Sequence, residues 1–413
     1  MKKAITLLLA LIMLLSAVPA FASNTRASGP YAYEIKGNGT ITITYFNWKN
    51  IDGDVFIPNM IDGYTVTGIG NEAFSHGDSQ RRTKCTITLP EGITTIGNKA
   101  FWNANIFAIN IPNSMQHIGS SAFFGCPSCQ FKIASNHNSF AVIDEGLYNK
   151  SKKELIAYSW NNIDFSDSSF PTITIPNGIQ AIGAYVFANS DMDHTKIELP
   201  TTLTSIGEYA FAEAECSVIK GILPSLKTIG NSAFMECSST ACDLRMSAVE
   251  TIGDSAFADV KLASGALEGI NFRGSPFEEI GDKAFNTEAR NGRNEFIIPT
   301  TEIEKIGKYN SGIGKLMTTV ESFSPNLIAI PTGLNPQVTA LPDTVTTIES
   351  EAFTMEVKDF SLSTFLTDIA IDAFPQGSTF IVDAGSYAEL WCSENGFGYT
   401  VEGQEDDLSW LNS

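Results

Sequence analysis

Histidine is scarce in this 413-residue chain, which has four, at His76, His117, His137 and His194. None stands in a metalloprotease-type helix pair or at zinc-finger spacing, and the sequence lacks a Gly-x-Ser-x-Gly elbow, a phosphate loop and a dinucleotide fingerprint. The common hydrolase, NTPase and dehydrogenase signatures are therefore missing. Basic residues are few as well, 26 Lys plus Arg against 46 Asp plus Glu for a net charge of −20. Such an acidic surface disfavours nucleic acid and anionic membrane as partners and favours solubility. Cysteine is limited to seven residues, an odd number that disulfides cannot fully pair, so structural thiols are expected. Cys126-Pro127-Ser128-Cys129 has redox or metal spacing, but no second pair or histidine lies near it in sequence. No cofactor and no metal is expected.

Long apolar runs are absent after the opening segment. Lys2 and Lys3, the apolar run Ala4 to Leu15, and Ala20-Phe21-Ala22 have the layout of a secretory signal peptide cut after Ala22. The run is too short to span a bilayer. The expected product is a soluble, exported monomer with no membrane insertion after cleavage. Losing Lys2 and Lys3 leaves 24 bases against 46 acids, a charge of −22. Leu341-Pro342-Asp343-Thr344-Val345 looks like part of a wall-sorting signal, but it carries Val where Gly is needed and reads as an ordinary repeat strand.

What the chain does have is repetition. Ile96-Gly97-Asn98-Lys99-Ala100-Phe101 recurs at Ile69 to Phe74, Ile118 to Phe123, Ile182 to Phe187, Ile206 to Phe211, Ile229 to Phe234, Ile252 to Phe257 and Ile280 to Phe285. Ile348 to Phe353 and Ile369 to Phe374 keep the Ile and the Ala-Phe without the Gly, and Ile306-Gly307 keeps only the opening. The steps between these Ile residues are 27, 22, 64, 24, 23, 23, 28, 26, 42 and 21 residues. A period near 23 implies a solenoid in which each coil covers the next.

Ahead of each phrase stands an Ile-x-Leu/Ile-Pro strand, as at Ile87 to Pro90, Ile109 to Pro112, Ile173 to Pro176 and Ile197 to Pro200. Its period of two buries the apolar residues, and Pro stops the strand. In the recurring phrase Gly permits a tight turn and positive φ. The next residue (Asn71, Asn98, Ser120, Asn231, Asp254 or Asp282) would N-cap a helical turn, Ala would pack against the neighbouring coil, and Phe would fill the core. Period-two alternation in Tyr31 to Ile35 and Thr40 to Tyr45, around Lys36-Gly37-Asn38-Gly39, predicts a hairpin. Near the end, Ser386 is a plausible helix N-cap and Asn395-Gly396 a plausible stop.

These phrases resemble the treponemal-type, or BspA-like, class of bacterial leucine-rich repeat surface proteins. Asn138-Ser139-Phe140, Ile143 to Tyr148 and Leu155 to Tyr158 are similar to the hairpin insert such proteins carry between repeats, and Gly385 to Trp391 is similar to their closing helix. The expected fold is β-rich α/β, a right-handed leucine-rich repeat solenoid with an N-terminal hairpin cap and a C-terminal helix cap. Its expected divisions are a signal peptide (1–22), an N-terminal cap (23–66), repeats (67–378) with a hairpin insert (131–170), a C-terminal cap (379–402) and an acidic tail (403–413).

The candidate site is the outward face of the stacked first strands. In register, Thr86, Thr88, Ala108, Asn110, Thr172, Thr174, Lys196 and Glu198 would form one ladder of small polar side chains. Exposed strand positions favour Thr in any secreted protein, so the ladder also has a purely structural reading. A rigid, pre-formed sheet docks a partner without a large ordering cost. Asp191-Met192-Asp193 with Glu198, taken as an inter-repeat loop, is the best calcium candidate, although it lacks the Gly and the third alternating ligand of a helix-loop-helix site. The resemblance implies adhesion to host or bacterial surface proteins or glycans, from a secreted or cell-surface position. Two rivals remain: a passive spacer of the envelope, and an enzyme with a site on the irregular stretch Tyr309 to Phe323 or on the insert near Asp144. The tail, with Leu408, Trp410 and Leu411 behind three acids, is either a frayed end or a docking peptide.

Overall fold

The computed structural model describes residues 24–49, 51, 53–75, 85–160, 171–262, 269–272, 275–285, 296–297, 305–306, 329–330, 340–341, 343, 345–348, 352–353 and 356–402. The leader 1–22, the stretch Tyr309 to Phe323 and the tail 403–413 lie outside these residues. The chain divides into two compact units, with the boundary between Ser139 and Phe140.

The first unit opens on the predicted hairpin. Tyr31–Ile35 pairs antiparallel with Thr40–Phe46, and Thr25–Ser28 adds to its outer side. Asn38 closes the turn by accepting from the Thr40 hydroxyl at 2.7 Å, and Gly39 takes φ +77°. Thr40–Phe46 then pairs in parallel with Tyr64–Ile69, which continues into the rungs Thr95–Ile96 and His117–Ile118. A second parallel sheet in this unit joins Val55–Phe56, Cys85–Thr88, Ile106–Ile111 and Gln130–Ile133.

In the second unit Phe140–Ile143, Gly146–Asn149 and Glu154–Tyr158 form an antiparallel meander. Its last strand pairs in parallel with Ala181–Ile182, and the rungs Ser205–Ile206, Thr228–Ile229, Thr251–Ile252, Glu279–Ile280 and Lys305–Ile306 follow. The first strands stack beside them as Thr172–Thr174, Asp191–Glu198, Glu215–Leu223, Ser238–Met246, Gly269–Asn271 and Phe296–Ile297. Near the end Phe360–Ser361, Thr379–Val382 and Gly398–Val401 form a short parallel sheet. Tyr387–Asn395 is the only α-helix among the described residues. Ser386 caps it by accepting from the Glu389 amide at 3.1 Å, and Gly396 ends it at φ +75°. Each unit is thus a solenoid of stacked coils.

The recurring Phe residues are the core. Phe211, Phe234, Phe257 and Phe285 stack with ring centroids 5.0 to 5.4 Å apart and planes within 5°. Each buried ring contributes roughly 2–3 kcal/mol. The phrase itself turns differently from the sequence-based expectation. Positive φ falls on the residue before Ala, at Lys99 (+54°), Ser121 (+57°), Ser232 (+51°) and Ser255 (+54°), and again two residues after Phe, at Asn103, Glu213, Glu236 and Asp259.

A helical turn does not form because every second amide is committed to the next coil, while those between close tight turns on the carbonyl three residues back, as Ala210 does on Gly207. The N–H groups of Tyr209, Phe211 and Glu213 are donated to the Asn231, Ala233 and Met235 carbonyls of the next coil, at 2.7 to 2.9 Å. A left-handed backbone at a non-glycine residue costs about 1–2 kcal/mol, and these inter-coil bonds offset it.

The residue after Gly is likewise not an N-cap. The Asn71 side chain accepts from the Asn98 amide at 2.8 Å, Asn98 from Ser120 at 2.9 Å, Asn231 from Asp254 at 3.0 Å and Asp254 from Asp282 at 2.8 Å. The side chains form a ladder from coil to coil. The ladder also explains the Gly: a methyl on Gly97 would stand 2.5 Å from both the amide nitrogen and the side-chain oxygen of Asn71. Close approach, not positive φ, selects glycine there.

Candidate functional site

The predicted ladder of outward residues falls into two sheets, one in each unit. In the first unit Phe56 pairs with Thr88, Thr86 with Ala108, Ala108 with Gln130 and Asn110 with Lys132. Thr86, Thr88 and Asn110 are half-buried. Ala108 is fully buried, contrary to its expected place on the outer face, because its methyl lies between the longer Thr86 and Gln130. Asn110 reaches the face but its amide is engaged: Oδ1 accepts from the Leu89 amide at 2.7 Å and Nδ2 donates to the Leu89 carbonyl at 2.8 Å. That side chain replaces the ladder bonds the preceding strand loses where Pro90 stops it.

In the second unit Thr172 lines up with Lys196, Val218 and Ala241, and Thr174 with Glu198, Lys220, Asp243 and Gly269. Thr172 and Thr174 are exposed, whereas Lys196 and Glu198 are half-buried. Glu198 pairs with Lys220 at 2.6 Å, and Arg245 grips Asp243 through Nε at 2.9 Å and Nη2 at 3.2 Å. A third row, Ile222, Arg245 and Asn271, extends the face. Lys220, Ile222 and Arg245 escaped the sequence reading, although Ile219-Lys220-Gly221-Ile222-Leu223-Pro224 reaches its Pro two residues later than Ile197-Glu198-Leu199-Pro200 does.

Asp191–Glu198 is a strand, which corrects the expected loop. It pairs with Glu215–Leu223 on both sides of an irregularity between Met192 and Lys196, and Glu198 is taken up by Lys220. The described residues hold no group of three or more His, Cys, Asp or Glu arranged for a metal.

The seven cysteines are all buried free thiols. Burial pushes Cys126 up to about 11 and Cys242 up to about 12, so neither presents a thiolate to a metal or disulfide. Cys126 donates instead to the Phe101 carbonyl at 3.1 Å. His117 is exposed on its rung, as expected, whereas His137 is buried and held by the Pro112 carbonyl at 2.9 Å and the Ser139 amide at 3.1 Å. Near Asp144, burial and then the Asp144 and Glu145 carboxylates raise the Tyr158 phenol to about 12, keeping it neutral. Glu91 is held below its ordinary value, chiefly because its carboxylate accepts from the Asn113 amide at 3.0 Å; the Ser114 amide at 3.1 Å adds to this.

A family profile described as BspA type leucine rich repeat region, in six copies, matches residues 40–164 and 159–291, more than half of the chain. The chain belongs to this bacterial leucine-rich repeat family. No curated protein matches the sequence. Among solved structures, this BspA type protein is similar to a leucine-rich repeat protein from Eubacterium ventriosum, at 16% identity over 68% of this chain and 92% of the other, with a TM-score of 0.40. It is also similar to the T. pallidum leucine rich repeat protein, at 20% identity over 54% and 84% with a TM-score of 0.30. The pneumococcal vaccine antigen PcpA is matched at 16% identity over 92% and 99%, with a TM-score of 0.28.

Proposed function

We propose that this BspA type leucine-rich repeat protein is an exported or cell-surface binding protein, not an enzyme, whose protein or glycan partner docks on the outward face of the first-strand sheets. The observation that carries the reading is the sheet of the second unit. From Lys196 to Glu198 the strand stays in register with Thr172–Thr174 on one side and Val218–Lys220 on the other, the inward residues are buried, and Thr172, Thr174, Lys196, Glu198 and Lys220 occupy successive outward positions on a rigid support. A face fixed before binding spends little free energy on ordering. Thr86 and Thr88 form the corresponding patch of the first unit. No described helix is long and apolar enough to cross a membrane. The net charge of −20 directs the search towards proteins and glycans and away from nucleic acid.

The test is an unbiased binding screen of the exported form against matrix proteins, mucus and serum proteins, and glycans. One saturable partner is expected, with affinity lost by about tenfold or more in Thr88→Arg or Thr174→Arg, a penalty of about 1.4 kcal/mol. Asn110 is left out of this scan because its amide holds Leu89. A partner that binds every sheet variant equally well would move the site elsewhere, and the absence of any saturable partner would favour a spacer role.

A further inference from the structure

Two adjacent strands of the second unit run past their neighbour. The last rung of Asp191–Glu198 pairs Glu198 with Lys220. Glu215–Leu223 continues three residues further, and Ser238–Met246 goes with it, placing Ile222 beside Arg245 and Leu223 beside Met246. The inward side of the extension is explained by packing. Leu223 and Met246 are buried, and a methyl on Gly221 would stand 3.0 Å from Leu199 Cβ and 3.1 Å from Leu223. The outward side has no such account. Ile222 is 61% exposed on the overhanging end of the sheet, with Arg245 beside it on the next strand and Lys220 two residues away.

The charges around it point one way. In the Lys220–Glu198 pair the side chains are 49% and 37% exposed, and in the Arg245–Asp243 pair 45% and 22%. In both pairs the cation stands further out, so solvent meets an ammonium, a guanidinium and an aliphatic side chain. Exposed ion pairs are worth about 0–1 kcal/mol, and an incoming carboxylate shares either cation at little loss. A basic partner would find attractive positions anywhere on a chain with 46 acids; an acidic one is repelled by most of that surface and drawn to the cations.

We propose that the shelf formed by Lys220, Ile222 and Arg245 docks an acidic protein segment with one apolar side chain seated on Ile222 and carboxylates on the two cations. This rests on the reading of the first-strand sheet as the binding face and narrows it to one place and one partner chemistry.

The test uses the full chain and three short fluorescent peptides: Glu-rich with a central Leu-Phe pair, the same with Ser-Ser at the centre, and Lys-rich with Leu-Phe. The first is expected to bind about tenfold tighter than the other two and to weaken as salt is raised. Ile222→Asp and the double variant Lys220→Glu with Arg245→Glu are each expected to lose about tenfold. All three positions are outward, so an unchanged melting temperature confirms that the fold is retained; Ile222→Ser is the second variant if Ile222→Asp melts early. Equal binding of the Lys-rich peptide, failure of all three peptides to bind, or binding that survives both changes would overturn the proposal. Thr174→Arg separates the two levels of inference. If a partner from the binding screen loses affinity with Thr174→Arg but keeps it with the shelf variants, the sheet reading stands and the shelf fails. If no sheet or shelf variant matters, both fail.

Discussion

Within a single coil the recurring turn and the first strand follow opposite rules. The turn varies little: Phe211, Phe234, Phe257 and Phe285 stack within 5° of parallel, and Asn231 and Asp254 each join their coil to the next through a side-chain acceptor. The first strands vary freely, from the two residues of Val55–Phe56 to the nine of Glu215–Leu223, and their outward positions carry Thr, Lys, Glu, Asp, Ile and Arg. Stability is concentrated where each residue has the same neighbour above and below, because a deviation there disturbs two coils. The proposed recognition uses the strand face, where exposed residues such as Thr174 change without disturbing the stack.

The largest break in this comparison comes from Phe234→Ala. Removing a ring stacked on both sides should destabilise the protein by about 3–5 kcal/mol, whereas Thr174→Ala on the sheet should stay within about 0.5 kcal/mol. Urea unfolding of the two variants measures both, and similar midpoints would mean the turn column is not the source of stability. Gly253→Ala comes next. Its methyl would stand 2.5 Å from the Asn231 amide nitrogen, a backbone atom that cannot rotate away. A loss of about 1–3 kcal/mol is expected, against little change for Gly37→Ala, which has open space around it.

How much of this was legible in the sequence depends on how far away each residue's partner lies. The Tyr31–Phe46 hairpin and the helix between Ser386 and Gly396 were readable because their turn and cap residues act on backbone a few positions away. The buried Phe column was readable because its period repeats. The role of Asn231 was not, since its acceptor function is used 23 residues on, at Asp254. Asn110 and Ala108 misled in the same way: one bonds a backbone 21 residues back, and the other is covered by side chains of both adjoining strands. At the candidate site, Thr172, Thr174, Lys196 and Glu198 were readable as outward by alternation. The exposed Ile222 was hidden because an apolar residue in a strand ordinarily reads as core.

Asn231→Ala tests the ladder alone. It removes one inter-coil acceptor and leaves the Phe stack intact, so the expected loss is about 0.5–1.5 kcal/mol. Asn231→Asp should retain most of the stability, as Asp254 fills the same position in the next coil. A full loss in Asn231→Asp would show that the amide group, and not an acceptor oxygen, is what the ladder requires.

The smallest effect concerns the link between the two phrases, where Glu91 accepts from the Asn113 and Ser114 amides of the next coil. Those two donors favour the charged carboxylate and hold it below the ordinary value of 4.5. A folded-state value below the unfolded one contributes stability that is complete above 4.5 and disappears as pH falls through the lowered folded value. Glu91→Gln cannot be charged, so the variant should melt slightly lower than the parent near neutrality and the two curves should converge in acid. Melting temperatures taken across that acid range measure the difference. Parallel curves would mean the carboxylate charge does not matter and the loop sides with the tolerant sheet; convergence would place Glu91 with the stack, as an anionic counterpart of the Asn231 acceptor.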